Sequence, residues 1–104
     1  RVPAGSKVKL TLTHTGQMAK AVMGHNFVLL AEGTDIPAFA TEAIKAGPDN
    51  DYIPQSDAVI AHTKTIGGGE TTSVMFDAPA AGTYDFICSF PAHYGVMNGK
   101  FIVE

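Results

Sequence analysis

The 104-residue sequence predicts an all-β sandwich interrupted by one short helix, on three observations. Short alternations of apolar and polar residues, rich in β-branched side chains, recur along the chain. Turns bearing Gly and Pro separate them, and a single stretch of good helix formers breaks the pattern. Apolar residues make up 45% and charged residues 16%, a balance that folds around a core. The length suits one domain spanning residues 1–104. A formal charge of −3 with no basic stripe excludes nucleic acid as a partner class. No apolar run reaches the ~18 residues of a membrane span. Arg1 is no initiator methionine and nothing resembles a signal peptide, so the chain reads as processed, excised or partial.

In chain order, Val2-Pro3-Ala4-Gly5 is a turn leading into Lys7–Thr13, whose alternation marks a half-buried strand. His14 ends that strand and is read as a capped or packed histidine outside any site. Met18 to Met23 has no period and reads as loop. Phe27-Val28-Leu29-Leu30 is apolar at consecutive positions, the pattern of a short strand buried on both faces, and His25 stands where the loop enters it. Ala38–Ala46 is the predicted helix, with Pro37 in its first turn, Gly47-Pro48 as its stop, and Phe39, Ala43, Ala46 and Ile44 as its packing stripe. The acids of Asp49-Asn50-Asp51 lack the spacing of a calcium loop and read as a solvated turn. Val59–Lys64 is extended, with His62 on the surface. Gly67-Gly68-Gly69-Glu70 lacks the Lys-Ser/Thr ending of a phosphate loop and reads as a hairpin turn. Thr71–Phe76, Thr83–Cys88 and Gly99–Val103 are the remaining strands, with a turn at Ala78–Gly82.

Chemistry concentrates in Cys88-Ser89-Phe90-Pro91-Ala92-His93-Tyr94-Gly95-Val96-Met97. The only cysteine, a histidine and a methionine in one bent loop are soft to borderline ligands, suited to copper rather than to magnesium or calcium. A strand ending in Cys88 and another starting near Gly99 place the loop at one end of the sandwich. His25, just before a different strand, reaches the same end. Two imidazoles and a thiolate with a weak axial thioether from Met97 make an electron-transfer copper arrangement. A hydrolase reading of Cys88 with His93 lacks an orienting carboxylate and leaves Met97 without a role. Copper storage or delivery favours exposed Met or Cys clusters over one closed set.

Met23-Gly24-His25-Asn26, Ala61-His62-Thr63-Lys64 and Cys88-Ser-Phe-Pro-Ala-His93 with Met97 resemble the azurin and auracyanin family of blue copper proteins, the cupredoxins. The resemblance covers nearly the whole chain. It implies a Greek-key β-sandwich with the helix in a flap, from about Pro37 to Gln55, outside the sheets. It implies one type 1 copper ion with His25, Cys88 and His93 as equatorial ligands, Met97 axial, and the Gly24 carbonyl as a distant ligand opposite. Asn26 is expected to tie the ligand loops together, and the Phe90 N–H to bear on the Cys88 sulfur. The implied function is electron transfer between redox partner proteins, not enzymatic turnover. The alternative is a relay domain of a larger copper oxidase or reductase.

Partners are expected to dock weakly at an apolar patch around His93 formed by Met18, Val22, Met23, Ile44, Phe90 and Val96. On the residues alone that group reads equally as core. The resemblance further implies a monomer, a periplasmic or extracytoplasmic location, and a membrane only through a tether. Departures are Gly5 at the position of a disulfide cysteine, Phe27 for a tryptophan and Ala92 for a glycine. Family members also carry a strand before the equivalent of Arg1, without which a sheet edge and part of the core are expected to be uncovered.

Overall fold

The computed structural model describes residues 2–17, 24–91, 93–95 and 97–104. Its strands are β1 (Lys7–Thr13), β2 (Val28–Leu30), β3 (Val59–His62), β4 (Thr71–Asp77), β5 (Gly82–Ile87) and β6 (Asn98–Val103). Helix α1 (Ile36–Ala46) and a 3-10 turn (Pro48–Asn50) lie between β2 and β3. Among the described residues β1 pairs with β4, and a second sheet runs β3-β2-β5-β6, with antiparallel neighbours throughout. The pairings β1–β4 and β2–β5 join strands far apart in sequence, as a Greek-key sandwich requires.

Alternation decides which face of each strand turns inward. In β1 and β4 every second residue is at least half covered, so Val8, Leu10 and Phe76 pack towards the second sheet. They meet Phe27, Leu29, Tyr84 and Val103 there, in the core between the sheets. An open apolar groove of about 350 Å³ remains between β1 and β6, lined by Leu10, Leu12, Phe27, Phe86 and Phe101.

Strand β2 shows no alternation because both its faces are covered. Leu29 faces the first core, while Val28 and Leu30 join Phe39 and Ile87 in a second cluster on the far side of the sheet. All three residues of β2 are fully buried, which contributes about 1.5–3 kcal/mol for each side chain. Helix α1 supplies the cover. It begins at Ile36, two residues before the expected start, because the Asp35 carboxylate caps it by accepting from the Ala38 N–H. It buries Phe39, Ala40 and Ala43, whereas Ile44 is 53% exposed and Ala46 half-buried. The expected stripe is thus corrected: at ~100° per residue Ile44 lies well off the face that Phe39 and Ala43 share. Gly47, at φ 77°, ends the helix.

Two further expectations change. The strand expected to end at Cys88 ends at Ile87, and just beyond the Ile87–Asn98 pair the Cys88 N–H donates to the Met97 carbonyl at 2.9 Å. The acidic turn is more than solvated. Asp51, half-buried, follows the 3-10 turn in a left-handed conformation and takes three hydrogen bonds from buried neighbours.

Candidate metal centre

Two stretches meet at one end of the sandwich, each held by backbone hydrogen bonds. His25 forms an antiparallel bridge with Ile66: its N–H donates to the Ile66 carbonyl at 3.0 Å, and the Ile66 N–H returns a bond at 2.8 Å. The second stretch leaves β5 at Cys88 and returns as β6 at Asn98. The Cys88 bond to Met97 closes this loop at its base. Within it the His93 N–H donates to the Phe90 carbonyl at 3.0 Å and the Met97 N–H to the His93 carbonyl at 2.8 Å. A closed loop of this kind fixes side-chain directions before any ligand arrives.

The resulting cluster is compact. Cys88 Sγ lies 3.9 Å from His25 Nδ1 and 3.6 Å from His93 Nδ1, and all three ligating atoms fall within 4.8 Å of one another. Three donors around a first-row metal at about 2.0–2.3 Å in a plane stand ~3.5–4 Å apart, so the spacing fits one ion. The Gly24 carbonyl is 3.9 Å from the same sulfur and also interacts with both imidazoles. Met97 is half-buried and lines the cavities beside Cys88 and beside His25. Thiolate and imidazole are donors that copper accepts in either oxidation state.

Electrostatics prepare the donors differently. Burial pushes the His25 and His93 imidazoles below their ordinary range, and repulsion from neighbouring histidines adds to this. Both therefore present neutral lone pairs at neutral pH. Burial raises the Cys88 thiol, while backbone N–H groups of Asn26 and Phe90 act in the opposite sense. The Asn26 N–H lies 3.5 Å from the sulfur. A metal must displace the thiol proton, and those N–H groups then face a thiolate.

Asn26 does the work expected of it. Buried at 3% exposure, it accepts from the Ser89 N–H at 2.7 Å and donates from Nδ2 to Ser89 Oγ at 2.7 Å and to the Asp51 carbonyl at 3.0 Å. One amide thus joins the His25 stretch, the Cys88 loop and the flap. The sequence assigns no role to Ser89 or Thr65 and reads Asp51 only as part of a solvated turn. Ser89 carries a signal in its adjacency to Cys88; the other two carry none.

His14 is buried as expected, with Nδ1 accepting from the Gly16 N–H at 3.0 Å. Its ring also stacks on that of His25 with centroids 4.3 Å apart, a contact that its strand-end position did not announce. His62 is exposed, in line with its polar flanks. Of the expected docking patch, Met18, Val22, Met23 and Val96 lie outside the described residues. Phe90 does not belong to an exposed patch. It is 9% exposed, wedged between Tyr52 and the His93 ring, while Ile44 is exposed.

A family model described as copper binding proteins, plastocyanin/azurin family, matches residues 1–104. Azurin of Alcaligenes faecalis is 49% identical over 94 residues, 86% of this chain and 73% of that protein. Azurin of Pseudomonas chlororaphis is 46% identical over 99 residues, 91% of this chain and 77% of that protein. Among solved structures, auracyanin A, a "blue" copper protein from Chloroflexus aurantiacus, superposes with a TM-score of 0.86. It is 36% identical and covers 99% of this chain and 82% of its own. Dithionite-reduced auracyanin of Roseiflexus castenholzii gives a TM-score of 0.86 at 39% identity, covering 100% and 82%.

Proposed function

The chain belongs to the plastocyanin/azurin family of copper-binding proteins, and from that premise we propose that His25, Cys88 and His93 would hold a copper ion, with Met97 and the Gly24 carbonyl as further, weaker ligands. The protein is an electron carrier with one type 1 copper, not an enzyme. Copper, when bound, supplies the one-electron Cu(II)/Cu(I) couple. The observation that carries the ligand assignment is the buried Cys88 sulfur with two imidazole Nδ1 atoms 3.6 and 3.9 Å away.

The residues of the chain contribute rigidity and charge balance. The Ile66 bridge and the Cys88–Met97 bond hold the donors in one geometry, which keeps nuclear movement small when the metal changes charge. The Asn26 and Phe90 N–H groups offset the negative charge of the Cys88 sulfur. His93 is half-buried rather than enclosed, and its ring is the proposed edge through which an electron leaves.

Redox partners are proposed to dock weakly around that edge, with the 104 residues acting as one monomeric domain in a periplasmic or extracytoplasmic compartment. The family resemblance supports this reading. Among the described residues the grouped metal-ligating side chains are His25, Cys88 and His93, with no carboxylate beside them, so no observation favours a hydrolase or a second catalytic metal.

Copper-loaded protein is expected to show intense visible absorption from thiolate-to-copper charge transfer, and Cys88→Ser to abolish it. Colour retained in the serine variant overturns the ligand assignment.

A further inference from the structure

Asp51 and Tyr52 stand on the flap, outside the metal-ligating cluster, yet both adopt the left-handed backbone region, at φ 54° and 56°. Residues other than glycine enter that region rarely, and they hold it where surrounding bonds over-determine it. The bonds here are specific. The Asp51 carbonyl accepts from Asn26 Nδ2 at 3.0 Å and from Thr65 Oγ1 at 3.0 Å, and its carboxylate Oδ1 accepts from the Thr65 N–H at 3.1 Å. The Tyr52 carbonyl accepts from Ser89 Oγ at 2.8 Å, and the Tyr52 ring meets Phe90 edge-on at 5.2 Å. The flap therefore grips Asn26, Ser89 and Phe90. Two of these carry the N–H groups that bear on the Cys88 sulfur, and the third lies between Cys88 and Phe90 in the chain.

We propose that Asp51 is a positioning residue for electron transfer: through Asn26 and Ser89 it sets where the Asn26 and Phe90 N–H groups stand relative to the Cys88 sulfur. The step from position to potential is physical. An N–H aimed at a thiolate draws charge off the sulfur and favours the reduced metal, so a looser N–H favours the oxidised one. The side chain matters because it ties the turn to the Thr65 backbone; without that tie the left-handed turn loses one of the bonds that impose it. This inference rests on Cys88 being the copper thiolate.

Three variants test it. Asp51→Ala removes the carboxylate acceptor and disfavours the left-handed turn. Asp51→Asn keeps an oxygen for the Thr65 N–H and tolerates that turn. Thr65→Val removes only the hydroxyl bond to the Asp51 carbonyl. In metal-free protein, amide exchange at Ser89 and Asn26 is expected to rise roughly tenfold in Asp51→Ala, less in Thr65→Val, and to stay near wild type in Asp51→Asn. In copper-loaded protein the reduction potential falls in the same order.

A general loss of thermal stability, with exchange at these two amides and the potential unchanged, overturns the proposal, because a merely structural role predicts that outcome. Should Asp51→Ala not fold, Thr65→Val carries the same two readouts, and no movement in either one defeats the proposal. Copper-loaded wild type without charge-transfer absorption defeats the thiolate reading instead. Exchange in the metal-free protein still judges the mechanical link.

Discussion

Asn26→Ala removes a side chain that joins both ligand stretches to the flap, and its cost can be worked from the bonds it makes. Three hydrogen bonds disappear: the acceptance from the Ser89 N–H and the donations to Ser89 Oγ and to the Asp51 carbonyl. The losses are unequal. Ser89 Oγ still donates to the Tyr52 carbonyl, and the Asp51 carbonyl still accepts from Thr65, so each of those bonds is worth about 0.5–1.5 kcal/mol. Among the described residues the Ser89 N–H has Asn26 Oδ1 as its acceptor and sits in a buried residue, so losing that acceptor costs about 1–3 kcal/mol. Together the expected destabilisation is about 2–6 kcal/mol, measured by urea or guanidinium unfolding of the metal-free protein. For a domain of this size that corresponds to a melting temperature lower by roughly 10–30 °C. A loss below about 1 kcal/mol refutes the reasoning, since it means that the network is satisfied by other groups. Asn26→Asp sharpens the test. It keeps an acceptor for the Ser89 N–H but sets a carboxylate against the Asp51 carbonyl, and is expected to cost at least as much at neutral pH.

Two other outcomes follow from the same geometry. Met97→Leu removes the weak axial thioether while leaving His25, Cys88 and His93 in place, so copper-loaded protein keeps its colour and its potential rises; a colourless variant or a lower potential by voltammetry contradicts the axial assignment. The metal-free protein is expected to be most stable between about pH 6.5 and 9. Because His25 and His93 lie below their ordinary value, the unfolded chain binds protons first, and stability falls as pH drops below that value through the lowered one. The raised Cys88 thiol acts at the other end: its contribution is lost as pH rises above the ordinary thiol value. Denaturation midpoints measured across pH check both arms, and a midpoint that rises on acidification through this range contradicts the first.

Local physics made much of the molecule legible. The alternation of Lys7–Thr13 predicts β1 with the ends observed, because side chains that point alternately in and out leave a period of two in the sequence. The apolar run Phe27–Leu30 announces burial on both faces, although it does not say that α1 is the second cover. The ligand types were readable too, since thiolate, imidazole and thioether in Cys88–Met97 have few other uses in combination. What failed were statements about partners distant in the chain. Ile44 had the chemistry of a packing residue but the wrong helical angle, and Phe90, which on the residues alone read equally as core or as surface, is enclosed by Tyr52 and His93.

The sequence by itself therefore determined the strand pattern, the helical excursion and the donor atoms available to a metal, all properties of residue type and near neighbours. Tertiary structure alone decided that the Cys88 sulfur stands 3.6 and 3.9 Å from two imidazoles, that His14 stacks on His25, and that Asp51 braces Asn26. Asn26 and Ser89 are 63 positions apart, and His25 and Cys88 equally so. Distances across such spans arise when two sheets bury their apolar faces against each other, and no local pattern records where a carbonyl or a ring comes to rest once that burial is complete.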